Sequence, residues 1–185
     1  APDRLHYTPN DEANELIARD PLALLIGFAL DQQVTVGTAF LGPWKVKERL
    51  GTLDAAEIAH MDPDRLEGAF REKPAVHRFP GAMATRVRDL AAHVEEDYGG
   101  DASRLWSDAG DSAELRRRIA ALPGFGEMKI KALSAVLYKR FGVEAARELT
   151  PDHPTLGDVD SPEALEHYQA LKREHKAKMR AQRGA

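Results

Sequence analysis

The stretch Ala121-Leu122-Pro123-Gly124-Phe125-Gly126-Glu127-Met128-Lys129 lies between two segments of helical periodicity, and its reading decides the fold. Two glycines one residue apart, after a proline, permit a tight bend that β-carbons would block. The helix that follows begins with its first backbone N–H groups unpaired. Those donors and the helix dipole suit a phosphate, and Lys129 and Lys131 just inside the helix add positive charge. The same residues also suit a plain turn between two helices.

Helical periodicity continues on both sides, with little strand-like alternation. Asn10 or Asp11 caps a first short helix ending near Ala18. Asp20 and Pro21 supply the cap and first position of the next. Its residues Leu22, Leu24, Leu25, Ile26, Phe28, Ala29 and Leu30 leave no polar face, which marks it as the buried central helix. Polarity returns at Asp31-Gln32-Gln33. A helix over 34–41 is expected to stop at Gly42-Pro43. Shorter helices follow over 53–60 behind Thr52, 64–69 after Asp62-Pro63, 82–97 after the Phe79-Pro80-Gly81 turn, and 113–121 behind Ser112. The helix after the glycine bend spans 127–141 and ends at Gly142. Residues 150–161 read as a loop. Ser161-Pro162 opens a last helix with a sparse apolar face through Leu165, Tyr168, Leu171 and Met179. No internal repeat or low-complexity tract intervenes. The expectation is an all-α protein of about ten helices.

Composition narrows the class. A chain of 185 residues, 43% hydrophobic and 30% charged, suits one globular domain or two small lobes sharing a core, and excludes wholesale disorder. The longest apolar run, residues 22–30, is far short of the ~20 residues a bilayer span needs. No charged-then-apolar leader is read at the start, and a cytoplasmic, nucleoid-associated protein is expected. The absence of cysteine excludes disulfides, thiolate nucleophiles and cysteine-held iron–sulfur clusters. Seven histidines are scattered without paired spacing, so no metal site is read. The net charge of −4 excludes a globally basic nucleic-acid binder. Local basic faces exist, however. One holds Arg71, Lys73, Arg78, Arg86 and Arg88; the other is the final helix, with Lys172, Arg173, Lys176, Lys178, Arg180 and Arg183. Each suits either DNA phosphates or plain solvent.

Three stretches in order resemble one family. The Ala121 to Gly126 bend followed by an apolar helix looks like the helix-hairpin-helix of the HhH-GPD DNA glycosylase superfamily, whose best-known types are endonuclease III and 3-methyladenine DNA glycosylase II. Leu24-Leu25-Ile26-Gly27-Phe28-Ala29-Leu30-Asp31-Gln32-Gln33-Val34-Thr35 is similar to the apolar helix and glutamine-bearing turn of the second type. Residues 79–90 resemble the intervening helix of those proteins, with its glycine-containing turn and basic residue. The resemblance runs from about residue 21 to residue 142.

The resemblance implies two helical lobes with a DNA-binding cleft between them. Residues 21–139 would form a helical-barrel lobe carrying the hairpin, and residues 1–20 with 140–185 the second. The hairpin, through Leu122, Gly124, Phe125, Gly126, Met128, Lys129 and Lys131, would grip the backbone beside a flipped nucleotide. The carbonyls of Ala120, Leu122 and Phe125 would hold a monovalent cation, the only cofactor implied. Gln32 or Gln33, with Gln33 better aligned, would probe the gap left by the base; ordinary helix capping is the plain alternative. Phe28, Trp44 and Met128 are candidates to line the base pocket, alongside Phe40 and Phe125. Phe28 and Phe40 equally suit the core.

Two departures bear on chemistry. Bifunctional members carry a lysine where this chain has Met128. Lys129, one residue on, is turned by ~100° around the helix and is expected to meet phosphate or solvent. A Schiff-base lyase is therefore disfavoured, and a monofunctional, water-using glycosylase is the resemblance's best reading. The family's catalytic acid, counted by its own spacing, falls near Glu148, where there is no aspartate. Asp152, Asp158 and Asp160 stand nearby, with Asp152 needing the smallest insertion; each also suits a turn or cap. Asp31 is read as structural. The expected activity is base-excision repair of double-stranded DNA by a monomeric N-glycosylase. The alternatives are a non-catalytic helix-hairpin-helix DNA-binding protein and a glycosylase/lyase using Lys129.

Overall fold

The ten residues Pro21–Leu30 carry no polar side chain, so a helix made of them has no face to offer water. In the computed structural model, which describes residues 1–184, this helix is central and every residue from Leu22 to Leu30 is buried. We number the helices α1 (Asp11–Arg19), α2 (Pro21–Leu30), α3 (Val36–Leu50), α4 (Ala55–Ala59), α5 (Pro63–Arg71), α6 (Pro80–Tyr98), α7 (Arg104–Ser107), α8 (Ser112–Ala120), α9 (Glu127–Lys139) and α10 (Pro162–Arg183). Two 3-10 turns, Glu144–Leu149 and Leu156–Asp158, complete the regular structure, and no strand occurs among the described residues. The expected all-α class is observed. Residue 185, the end of the expected 140–185 segment, lies outside the described residues.

Helix α2 packs against α1, α3 and α6, and α6 carries α4 and α5 on its flank. Helices α8 and α9 hold the first 3-10 turn, while the second bridges α9 and α10. The buried apolar residues from Leu5 to Val159 form one contiguous cluster. Tyr7 ties the start of the chain to its late loop, donating its hydroxyl to the Leu156 carbonyl at 2.8 Å. None of the helices is long and apolar enough to cross a membrane among the described residues.

Capping side chains set most helix starts. Asn10, Asp20, Thr35, Asp62 and Ser161 each accept from a first-turn backbone N–H. Two caps fall one or two residues from their expected places. Asp54 rather than Thr52 caps α4, and Asp111 rather than Ser112 caps α8. A carboxylate two or three residues ahead of the amide reaches it readily, which frees Ser112 to bond the Ala145 carbonyl at 2.7 Å. The short helix α7 and the turn at Glu144–Leu149 lie in segments too brief for periodicity to register.

The expected stop at Gly42-Pro43 is corrected: α3 runs straight through it to Leu50. Pro43 withholds one helix hydrogen bond. The apolar face nevertheless continues through Phe40, Val46 and Leu50, all buried. Gly42 serves packing here, since a Cβ on it would come within 2.4 Å of Leu30 Cδ1 on α2. Exposed Gly68 in α5 has nothing within 4 Å of the same position. Gly68→Ala should therefore raise unfolding free energy by about 0.5–1 kcal/mol, and Gly42→Ala should lower it by about 1–3 kcal/mol. Urea titrations of both variants check the pair.

Candidate functional site

Helix α2 ends inside the protein, where its last carbonyls lie beyond the regular helical bonds; the Asp31 N–H reaches the Phe28 carbonyl at 3.2 Å and the Gln32 N–H the Leu30 carbonyl at 2.8 Å. Side chains from two other segments add further donors. Lys129 of α9 donates to the Phe28 carbonyl at 2.7 Å and the Ala29 carbonyl at 3.0 Å. His77 donates through Nε2 to the carbonyls of Leu30 and Gln32, at 3.0 and 3.1 Å, while its Nδ1 accepts from the Phe79 N–H at 3.0 Å. An Nδ1 that accepts carries no proton, so the ring is the neutral Nε2–H tautomer. Burial holds its pKa below the usual histidine value, opposed by the bonds to Gln32 and Leu30.

The Lys129 Nζ is thus turned onto the end of α2 rather than out into open solvent, and the residue is half-buried. Helical side chains lean toward the N-terminus of their helix, and here that direction leads to the orphaned end of α2. Burial pushes its ammonium down to about 8, while Asp31 draws it up and Arg86 presses it further down.

Beyond α2 the chain turns through Asp31, Gln32 and Gln33. Gln32 is half-buried, its side-chain amide 4.0 Å from Met83 Sδ. Gln33 is exposed and has φ +57°, a left-handed conformation costly for a residue with a β-carbon. Asp31 is half-buried, yet its carboxylate accepts no hydrogen bond and has no ion-pair partner within 4 Å among the described residues. Burial lifts its pKa above the usual aspartate value, against the pull of Lys172, Lys129 and Lys176. Tyr168 of α10 faces the same spot; burial lifts its hydroxyl to about 12, helped by the charges of Asp31 and Asp158.

The glycine bend lies beside this turn. Leu122 and Phe125 are buried, and Gly124, Gly126, Glu127 and Met128 are exposed. Gly124 has φ +78°, and a Cβ on it would fall 2.2 Å from Arg86 Nη1 of α6. The Arg86 guanidinium therefore lies over the bend. Gly126 caps α9 without any side-chain bond, and the first cross-turn bond is from the Ile130 N–H to the Gly126 carbonyl. The amides of Glu127, Met128 and Lys129 have no hydrogen-bond partner among the described residues. The Glu127 carboxylate is turned back onto Arg116 of α8. Met128 is 85% exposed and Phe79, at the head of α6, 40% exposed, with Arg78 stacked 5.0 Å above the Phe79 ring. Lys131 is exposed.

Other expected site residues fall elsewhere. Phe28 is 1% exposed and packs edge-on against Phe40, so its ring belongs to the core and cannot stack on a base. The Phe125 ring is buried with Lys129 Nζ 5.7 Å from its centre. Half-buried Trp44 bonds Glu12 of α1 at 3.2 Å and lines an open hollow of about 460 Å³ with Lys45, Arg49 and Pro74. A second hollow, of about 400 Å³, lies by Asp20, Lys47 and Asp101, and neither includes a hairpin residue. Among the three carbonyls read as cation ligands, that of Leu122 accepts from the Phe125 N–H at 3.1 Å. Of the basic cluster at 71–88, Arg71 pairs with Glu67 and Arg88 points to the Met61 carbonyl, Lys73 is exposed, Arg78 lies over Phe79 and Arg86 over Gly124.

The three loop aspartates differ. Asp152 and Asp160 are exposed and make no hydrogen bond among the described residues. Asp158 closes a capping box with Thr155 and pairs with Lys139 at 2.7 Å. Burial would raise its pKa, but the bonds from Lys139 and Thr155 carry it below the usual value.

The chain matches no protein-family model, no curated protein and no solved structure.

The site therefore gathers an exposed bend with bare amides, the strained Gln33 turn, Arg78 and Arg86, and the unpaired Asp31 beneath α10. His77 and Tyr168 belong to it and carried no sequence signal of their own. A lone histidine in a basic stretch and a tyrosine on a sparse apolar face are both ordinary.

An unpaired, desolvated carboxylate costs stability once ionised. Below the ordinary aspartate pKa of about 3.9 both folded and unfolded chains hold the proton and the cost vanishes; it grows as pH rises from there toward the elevated folded value, and is complete and constant above it. Asp31→Asn should therefore raise Tm at pH 7, with the gain shrinking as pH falls toward 4. Thermal unfolding across that range checks it, with Lys129, Lys172, Lys176 and Tyr168 unchanged in both proteins.

Proposed function

We propose that this chain binds double-stranded DNA through the 121–126 bend and removes a damaged base by hydrolysing its N-glycosidic bond. The fold on this reading is the two-lobed HhH-GPD arrangement that the sequence resembles, with the cleft running past the bend. What carries the reading is the bend itself: exposed glycine backbone, three uncapped amides of α9 and Arg86 laid over Gly124. Such a surface accepts a phosphate closely and without regard to sequence.

The neighbours suit a flipped nucleotide. Gln33 projects from a conformation that the protein holds against strain, and Phe79 and Met128 offer apolar contact in solvent. The final helix adds six basic residues between 172 and 183, against Glu174 alone, and none of the six forms an ion pair among the described residues. A monofunctional reaction is favoured because Lys129 Nζ is committed to two carbonyls. A monovalent cation at the carbonyls of Ala120, Leu122 and Phe125 belongs to the same reading.

One observation favours a second reading, DNA binding without excision: none of Asp152, Asp158 and Asp160 is a free carboxylate at the bend. Incubation with duplexes that each carry one lesion, followed by alkaline cleavage of abasic sites, separates the two. Strand breaks at a lesion are expected; tight binding with no breaks across the panel would favour the module.

Gly126 permits a clean test of the bend. Its φ of −91° suits any residue, and its Cβ position has nothing within 4 Å. Gly126→Val should fold with Tm within a few degrees of the parent, yet weaken duplex affinity by about tenfold or more, because the branch blocks phosphate from the amides. Fluorescence anisotropy with several duplex sequences measures it, and unchanged affinity would remove the bend from the interface.

A further inference from the structure

On the glycosylase reading above, we propose that Asp31, rather than any of the late-loop aspartates, is the catalytic carboxylate, lying beside the Gln33 turn where the sugar of a flipped nucleotide would come to rest.

Three structural facts support the assignment. Asp31 closes α2 at the junction of three elements: the Gln32-Gln33 turn, the start of α9 at Lys129, and α10 at Tyr168 and Lys172. It is half-buried there with no hydrogen bond or ion pair, and its carboxylate oxygens are not among the buried unpartnered atoms, so water reaches them. The side chains acting on it from α9 and α10, Lys129, Lys172 and Lys176, are all cations; they offset part of the burial that disfavours its charge, and none forms an ion pair with it. By contrast Asp158 is spent on Thr155 and Lys139, and Asp152 and Asp160 stand in open solvent.

For the fold, attraction to three lysines is set against the burial of a carboxylate that has no hydrogen bond, whereas glycosidic hydrolysis has a direct use for one here. As the C1′–N bond breaks, its electron pair leaves on the base nitrogen, which takes a proton from solvent. The sugar becomes oxocarbenium-like, and a negative oxygen close to C1′ stabilises it. A water then bonds to C1′ through its oxygen while its proton passes to Asp31, which later returns it to solvent. The products are free base and an abasic site, with atoms and charge balanced.

The test compares the unsubstituted chain with Asp31→Asn and Asp31→Glu on a duplex whose lesion the parent excises. Three readouts are taken: duplex affinity, single-turnover excision rate and Tm. Asp31→Asn should bind within about twofold of the parent and excise at least about 100-fold more slowly, with Tm at or above the parent's. Asp31→Glu should recover part of the rate. Excision by Asp31→Asn at the parent rate, or a rate loss that follows lost affinity or lowered Tm, overturns the assignment and leaves the glycosylase reading intact. If the parent excises nothing from the lesion panel, the glycosylase reading fails and Asp31 loses its role with it.

Discussion

A helix without a polar face must be buried, and a buried helix end must find donors for its carbonyls away from water. That constraint at the C-terminus of α2 shapes the rest of the molecule. Lys129 answers it for Ala29 and His77 for Gln32, and the two side chains join backbone amides at the Phe28 and Leu30 carbonyls. In doing so Lys129 holds the first turn of α9, and with it the glycine bend, against the α2 terminus. His77 ties the approach to α6 to the same place, and Arg86 follows one face of α6 onto Gly124. Two hydrogen-bonding side chains thus bring together three segments far apart in sequence, and the exposed surface they create contains almost every group the site uses.

The arrangement trades stability for exposure at several points. Gln33 holds a left-handed backbone, Met128 stands almost wholly in solvent, and Asp31 is partly dried without a partner. Each is unfavourable by itself. Together with the uncapped amides of α9, they are the features on which the proposed binding surface rests. Elsewhere the fold is economical: side-chain caps close α1 to α5, α8 and α10, and α6 ends on the left-handed Gly99.

Helices were legible in the sequence wherever a cap or an apolar period marked them. Asp20-Pro21 and Ser161-Pro162 each open a helix where expected, and Asp62-Pro63 opens one a residue early, at Pro63 rather than 64. Gly42-Pro43 misled because its local chemistry says stop, while its packing against Leu30 says continue, and packing is invisible along the chain. The bend and its exposed glycines were readable for the same local reason as the caps. The direction of Lys129 was not, because it depends on carbonyls a hundred residues away. Asp31 reads as structural along the chain for a similar reason: that its half-buried carboxylate makes no hydrogen bond or ion pair is visible only in the fold.

The central claim is that the bare amides at the start of α9 meet the sugar-phosphate backbone. Amide chemical-shift mapping of the uniformly labelled protein during titration with a short duplex tests this directly. The largest shifts should fall on Gly124, Gly126, Glu127, Met128 and Lys129, with smaller ones at Gln33 and Arg86. Shifts confined to α10, or none at saturating duplex, would contradict it.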